Sequence, residues 1–178
     1  MIPLNNILMA DNVLDSIHDN LDELLKLIPE IKDMIGCEHK NPAHKFDVWN
    51  HTLYALNLAP KDLDVRLTLL FHDIGKPHSF TEVDGVRHFT GHPKVSKEIT
   101  YRVLKRLGYE DNYIEKICYL VGNHDYRITK DNITKDKELE YKRFIIQQCD
   151  IYAHDTSNER FKVKELYIAN TKKLFEEE

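Results

Sequence analysis

The chain has 178 residues, and its 25 Lys+Arg stand against 30 Asp+Glu for a formal charge of −5. That length suits one domain with a proper core, and the acidic balance weighs against a surface built to coat nucleic acid. Three cysteines without a C-x-x-C pair argue against a disulfide scaffold or a thiolate zinc site, and no apolar run approaches the ~20 residues that cross a bilayer. The expectation is a soluble, cytoplasmic protein with buried free thiols. Six glycines and six prolines are few, which favours helices over a turn-rich β fold.

Asp11 to Ile28 carries apolar residues at Val13, Leu14, Ile17, Leu21, Leu24, Leu25 and Ile28, a helical period that predicts one helix ending before Pro29. A short piece with Ile31, Met34 and Ile35 follows, stopped by Gly36. His39 to Lys45 reads as a loop around Asn41-Pro42. Asp47 caps a helix with Val48, His51, Thr52, Ala55 and Leu58 along one side, ended by Pro60. Asp62 starts the next, with Leu63, Leu67, Leu70 and Phe71 inward and a stop at Gly75-Lys76-Pro77. Around Asp84-Gly85 the pattern becomes extended, predicting a small β-hairpin near 78–90. Pro93 suits the first turn of a helix that runs to Gly108. A further helix from Glu110 closes near Gly122-Asn123-His124. Ile128 to Asp136 reads as a loop, Leu139 to Ala153 as a helix, and Glu159 to Phe175 as a charged amphipathic helix. The fold class is all-α.

The chemistry concentrates at Leu69-Leu70-Phe71-His72-Asp73-Ile74-Gly75-Lys76-Pro77. An apolar helix delivers an imidazole and a carboxylate side by side to its end, and both are good ligands for a divalent metal. Adjacent helical residues point about 100° apart, so further ligands must come from elsewhere. His51, His92, His124 and Asp150 are the candidates. His51 and Asp150 have apolar neighbours, where an unpaired carboxylate is costly; His92 and His124 sit at helix ends. His-Asp also occurs at His124-Asp125 and His154-Asp155; the latter, beside Thr156-Ser157-Asn158, reads as solvated surface. His18, His39 and His88 read as ordinary polar positions, while His44 and His78 have the option of lying near a pocket.

The order His51, His72-Asp73, His92, His124, Asp150 resembles the HD-domain superfamily of metal-dependent phosphohydrolases. The resemblance runs from about Asn41 to Asp155. It is carried by Asp47-Val48-Trp49-Asn50-His51-Thr52, by Leu70 to Pro77 and by Gly91-His92-Pro93. The wording is most similar to the HD domain attached to bacterial tRNA nucleotidyltransferases, with Asn41-Pro42-Ala43-His44 adding to the likeness. Nothing resembles the nucleotidyltransferase head, and Met1 to Lys40 is too short for one. The resemblance implies a compact helical bundle over 1–178: N-terminal helices in 1–40, a metal-site core in 41–155 and a C-terminal helix in 156–178. It also implies that His51, His72, Asp73 and Asp150 hold one ion, while His92 and His124 serve a second with Asp73 bridging, or contact substrate.

Such ligation suits Fe, Mn, Co, Ni or Zn, and Mg less well. A divalent ion draws the pKa of water from ~15.7 toward ~7, so the implied reaction is attack of an activated hydroxide on phosphorus. Asp73 orients the nucleophile, and Lys76, one turn past His72, offsets charge on the phosphoryl oxygens; Arg127 is the second candidate for that task. The implied partner is a small phosphorylated substrate such as a nucleotide or cyclic nucleotide. The alternatives are a non-catalytic nucleotide-sensing module and a tRNA-associated module.

Overall fold

A computed structural model describes residues 2–176 of the chain. Among them run nine α-helices and one two-stranded sheet: α1 Pro3–Leu8, α2 Val13–Asp19, α3 Leu21–Leu27, α4 Val48–Leu58, α5 Leu63–Phe71, β1 Thr81–Val83, β2 Val86–His88, α6 His92–Arg106, α7 Asp111–Gly122, α8 Lys137–Tyr152 and α9 Phe161–Glu176. The all-α class is therefore observed. No helix of the described residues is long and apolar enough to cross a membrane.

The helix at the centre is α5. Asp62 Oδ1 accepts the Val65 N–H at 3.0 Å, which starts it, and every residue from Asp64 to Phe71 is buried. It packs against α1, α4, α6, α7 and α8. A helix touched on all sides needs apolar or partnered side chains all round: Leu67, Leu69, Leu70 and Phe71 fill the core, while buried Asp64 and Arg66 have hydrogen-bond partners. The main hydrophobic cluster surrounds it, from Leu4 and Leu8 through Met34, Leu56 and Leu70 to Leu104, Leu120 and Ile146. A smaller cluster of Ile128, Phe144 and Ile168 lies beneath α9, where the Phe144 and Phe175 rings stack at 5.6 Å.

Two N-terminal expectations need correction. The single helix over 11–28 is broken at Asn20 into α2 and α3, because the Asn20 amide donates to Ser16 O at 2.8 Å and competes with the helical ladder. Ahead of it stands the unforeseen α1, with Pro3 in its first turn and Leu4, Ile7 and Leu8 inward. The Ile31–Met34 piece is a 3-10 turn over Pro29–Asp33, and Ile35 faces solvent. The hairpin is present: Thr81 pairs with His88 and Val83 with Val86, turning through Asp84 and Gly85, both at positive φ. Arg87 ties it back by donating to Glu38 O at 2.8 Å.

One close approach fixes the angle between α5 and α6. The Gly75 N–H donates to Ser96 Oγ at 2.9 Å, and a Cβ at Gly75 would fall 2.4 Å from Ser96 N. Only glycine lets the turn after His72-Asp73 lie directly on α6.

Candidate metal centre

Five helices bring one ligand position each to the same end of the bundle. His51 is in the first turn of α4, His72 follows the last residue of α5, His92 is the first residue of α6, His124 follows α7, and Asp150 is in the last turn of α8. Asp73 accompanies His72. The six side chains meet in two groups that share Asp73: His51, His72, Asp73 and Asp150, and Asp73, His92 and His124. Within each group the ligand atoms lie inside 4.8 Å of one another.

In the first group His51 Nε2 is 2.8 Å from Asp150 Oδ1, and His72 Nε2 is 3.2 Å from Asp73 Oδ2. In the second, His92 Nε2 is 3.2 Å and His124 Nε2 3.7 Å from Asp73 Oδ1. One oxygen of Asp73 thus faces each group. Asp73 is 1 % exposed and Asp150 9 %. Burial alone would raise both carboxyls, yet the neighbouring imidazoles hold each well below the usual carboxylate range, with Lys76 adding to the pull on Asp73. The same pairing outweighs burial at His72 and raises its pKa to about 10, whereas burial lowers that of His124 to about 3.

The backbone decides which nitrogen faces inward. His72 Nδ1 donates to Leu69 O at 2.6 Å, His124 Nδ1 to Val121 O at 2.7 Å, His92 Nδ1 to Phe89 O at 2.9 Å and His51 Nδ1 to Ala153 O at 3.3 Å. A carbonyl only accepts, so each Nδ1 donates to the main chain and each Nε2 is the nitrogen turned to the centre, where a bound cation would take the place of the proton that the carboxylates otherwise hold on His72. Two pairs of Nε2 atoms stand 3.4 Å apart (His51, His72) and 3.2 Å apart (His92, His124). Both Asp73 oxygens are buried without a hydrogen bond of good geometry, despite Lys76 Nζ at 2.7 Å from Oδ2. Nε2 atoms this close, beside an unsatisfied buried carboxylate, repel unless a proton or a cation sits among them. The donor set fits a divalent metal of the kind that accepts imidazole and carboxylate.

Beyond these six residues, Lys76 is buried at 5 % exposure. Its ammonium is held between Asp73 and His39, whose Nε2 accepts from it at 3.1 Å while Nδ1 donates to Phe46 O at 2.8 Å. His39 stacks on His44 with ring centroids 3.8 Å apart, and His44 approaches His154 at 4.4 Å. His39 and His154 therefore depart from the sequence expectation: neither is a surface residue. His154 Nδ1 donates to Asp150 O at 2.8 Å, the reach of residues four apart on a helix, and that spacing could have signalled it. Nothing local marks His39. His78 pairs with Asp33 instead.

A cleft of about 380 Å³ opens on the centre, walled by Asp73, Lys76, His92, His124 and Asp150 with Phe89 and Tyr126 at its sides. A larger groove of about 730 Å³ between α6 and α7 contains none of the six. Arg127 stands outside the cleft, its guanidinium over the Tyr167 ring at 5.2 Å. The segment carrying His124 is braced from α8. Arg143 pairs with buried Glu140 at 3.0 Å and donates to Asn123 O and Tyr126 O, and Gln147 donates to Tyr126 O at 2.6 Å.

The sequence matches the family model of the HD domain over residues 43–166. It is 33% identical over 131 residues to the CC-adding tRNA nucleotidyltransferase of Thermus thermophilus, covering 70% of this chain and 29% of that protein. It is 28% identical over 126 residues to the A-adding tRNA nucleotidyltransferase of Deinococcus radiodurans, covering 67% of this chain and 29% of that protein. The chain thus spans under a third of the length of these curated relatives.

Proposed function

The chain belongs to the HD domain family, and from that premise we propose that it is a metal-dependent phosphohydrolase acting on a small phosphorylated substrate such as a nucleotide phosphate or cyclic nucleotide. The observation that carries this reading is the convergence of four Nε2 atoms on two buried carboxylates, with every Nδ1 spent on the main chain. The ligand chemistry admits Fe, Mn, Co, Ni, Zn or Mg, as one ion or two. When bound, a divalent ion supplies Lewis acidity toward a phosphoryl oxygen and lowers the pKa of water.

The residues of the chain do the rest. A water oxygen bonds to phosphorus, the phosphorus–oxygen bond to the leaving group breaks, and the leaving oxygen takes the proton. Asp73 presents one oxygen to each half of the centre and so fixes the line along which the nucleophile approaches. Lys76 stands at the wall of the cleft as a point charge against the phosphoryl oxygens, steadied by His39. The helix ends bury His51 and His72 and leave His92 and His124 bordering the cleft.

Phosphatase assays on AMP, a cyclic nucleotide and p-nitrophenyl phosphate, with Mn, Ni, Co or Mg added, test the reading on wild type and Asp73→Ala. The expected result is turnover in the wild type that the variant lacks. Equal background rates in both overturn the proposal in favour of a nucleotide-sensing module. A tRNA-associated module is the second reading, favoured by the names of the two relatives. The formal charge of −5 weighs against it, and a tRNA titration across salt tests it.

A further inference from the structure

The cleft does not end at the ligands. His124, Asp125, Asp150 and His154 also wall a second cavity of about 170 Å³, whose lining includes Arg127, Lys164 and Tyr167. The neutral polar groups there are already partnered. The Tyr167 hydroxyl donates to Gln147 Oε1 and accepts the Ile128 N–H at 2.8 Å, and the Gln147 amide donates to Tyr126 O. The two cations are not. Neither Lys164 nor Arg127 has a carboxylate within ion-pair distance among the described residues, and Arg127 rests only on the Tyr167 ring.

A half-buried ammonium without an ion-pair partner is an expensive arrangement. Burial lowers the Lys164 pKa, and the opposing attraction comes from Asp150 and Asp125 at longer range. Asp150 is engaged by His51 and His72 in the centre. Neither Asp125 nor Asp150 comes within ion-pair distance of Lys164 or Arg127, so the two cations stand on this wall without a close counter-charge. Helix α9 holds Lys164 in place through Ile168, which packs with Phe144 and Ile128. The cationic wall therefore rests on the packed C-terminal helix.

Resting on the phosphohydrolase reading above, we infer that Lys164 and Arg127 form a second anion subsite, and that the preferred substrate carries a second phosphate beside the one hydrolysed. The class is a nucleoside diphosphate or a nucleoside bisphosphate in preference to a monophosphate. The Arg fork and the Lys point charge both favour phosphate oxygens, and a charge-assisted hydrogen bond in a partly dry cavity is stronger than a neutral one.

Calorimetric titration of the full chain loaded with manganese tests this, using three probes: AMP, a methylene-bridged analogue of ADP, and adenosine bisphosphate with its phosphates on opposite sides of the ribose. At least one of the two-phosphate probes is expected to bind about tenfold tighter than AMP, the yield of one charged hydrogen bond. Which of the two binds distinguishes a chained second phosphate from one across the sugar. Lys164→Met and Arg127→Met each bring the ratio toward unity, and Lys164→Arg retains it. Two-phosphate probes no tighter than AMP, or a preference that survives the double variant, overturn the subsite. Hydrolysis of p-nitrophenyl phosphate without the preference removes the subsite alone. The preference without hydrolysis of any substrate keeps the subsite and removes the enzymatic reading.

Discussion

The two halves of the metal centre share Asp73 and differ in almost everything else. His51, His72 and Asp150 come from α4, α5 and α8, and neither His51 nor His72 reaches the cleft wall. His92 and His124 come from the ends of α6 and α7, and both line the cleft. The first group offers four protein ligands, a number that fills a tetrahedral ion, and the second offers three, which leaves a position open. The contrast teaches that depth and access are separated: of the first group only the two carboxylates border the cleft, whereas both histidines of the second do.

The sharpest way to break that contrast is to remove the residue common to both. Asp73→Asn is expected to lower turnover by well over the ~100-fold that outer contacts of a metal site command, and to abolish binding of every ion. Metal analysis of the purified variant beside the wild type checks it. Next, His72→Ala and His92→Ala should behave differently if the halves are distinct. His92→Ala keeps the enclosed ion and loses the open one, whereas His72→Ala loses the enclosed one, read as metal stoichiometry after dialysis. Equal loss in both would merge the halves into one site.

A subtler break acts through the brace. Arg143→Met leaves Glu140 to the Tyr119 and Thr134 hydroxyls and the carbonyls of Asn123 and Tyr126 to the Gln147 amide alone, so His124 loses part of its support while the enclosed half keeps its own. The expected effect is a weakening of the open site of about 10–100-fold in manganese affinity, with the enclosed site unmoved. The smallest effect lies away from the centre. Asp64 accepts from Tyr113, Lys116 and Lys142, and these donors overcome burial to hold its pKa below the ordinary 3.8. A depressed carboxyl contributes stability that is present above the unfolded pKa and lost as pH falls through the folded one. Asp64→Asn should therefore be less stable than wild type at neutral pH, by on the order of 1 kcal/mol. The gap should close as urea unfolding is repeated below about pH 4. Metal binding at neutral pH should not change.

Much of this arrangement was legible before any coordinates. The helix ending in His72-Asp73 announces itself because its apolar run stops at Gly75 and Pro77, and His92 and His124 sit beside helix punctuation of the same kind. His154 was hidden because its neighbours Thr156, Ser157 and Asn158 are polar. The Asp155 N–H reaches Ala43 O at 2.9 Å, which folds that segment over the loop before α4 and buries the imidazole by a contact between distant parts of the chain. His39 lies in an irregular stretch with no period to read, and its partner Lys76 is 37 residues away. Asn20 broke a regular apolar pattern through its own side chain, without the Gly or Pro that usually marks a break.

Each imidazole of the centre is aimed by a main-chain oxygen, those of Leu69, Phe89, Val121 and Ala153. Every amino acid carries that oxygen, so no point substitution at these four positions deletes it. The surroundings are thereby free to drift in side-chain identity, adapting the cavity to new molecules, while the angle of each ring is inherited from the path of the chain itself.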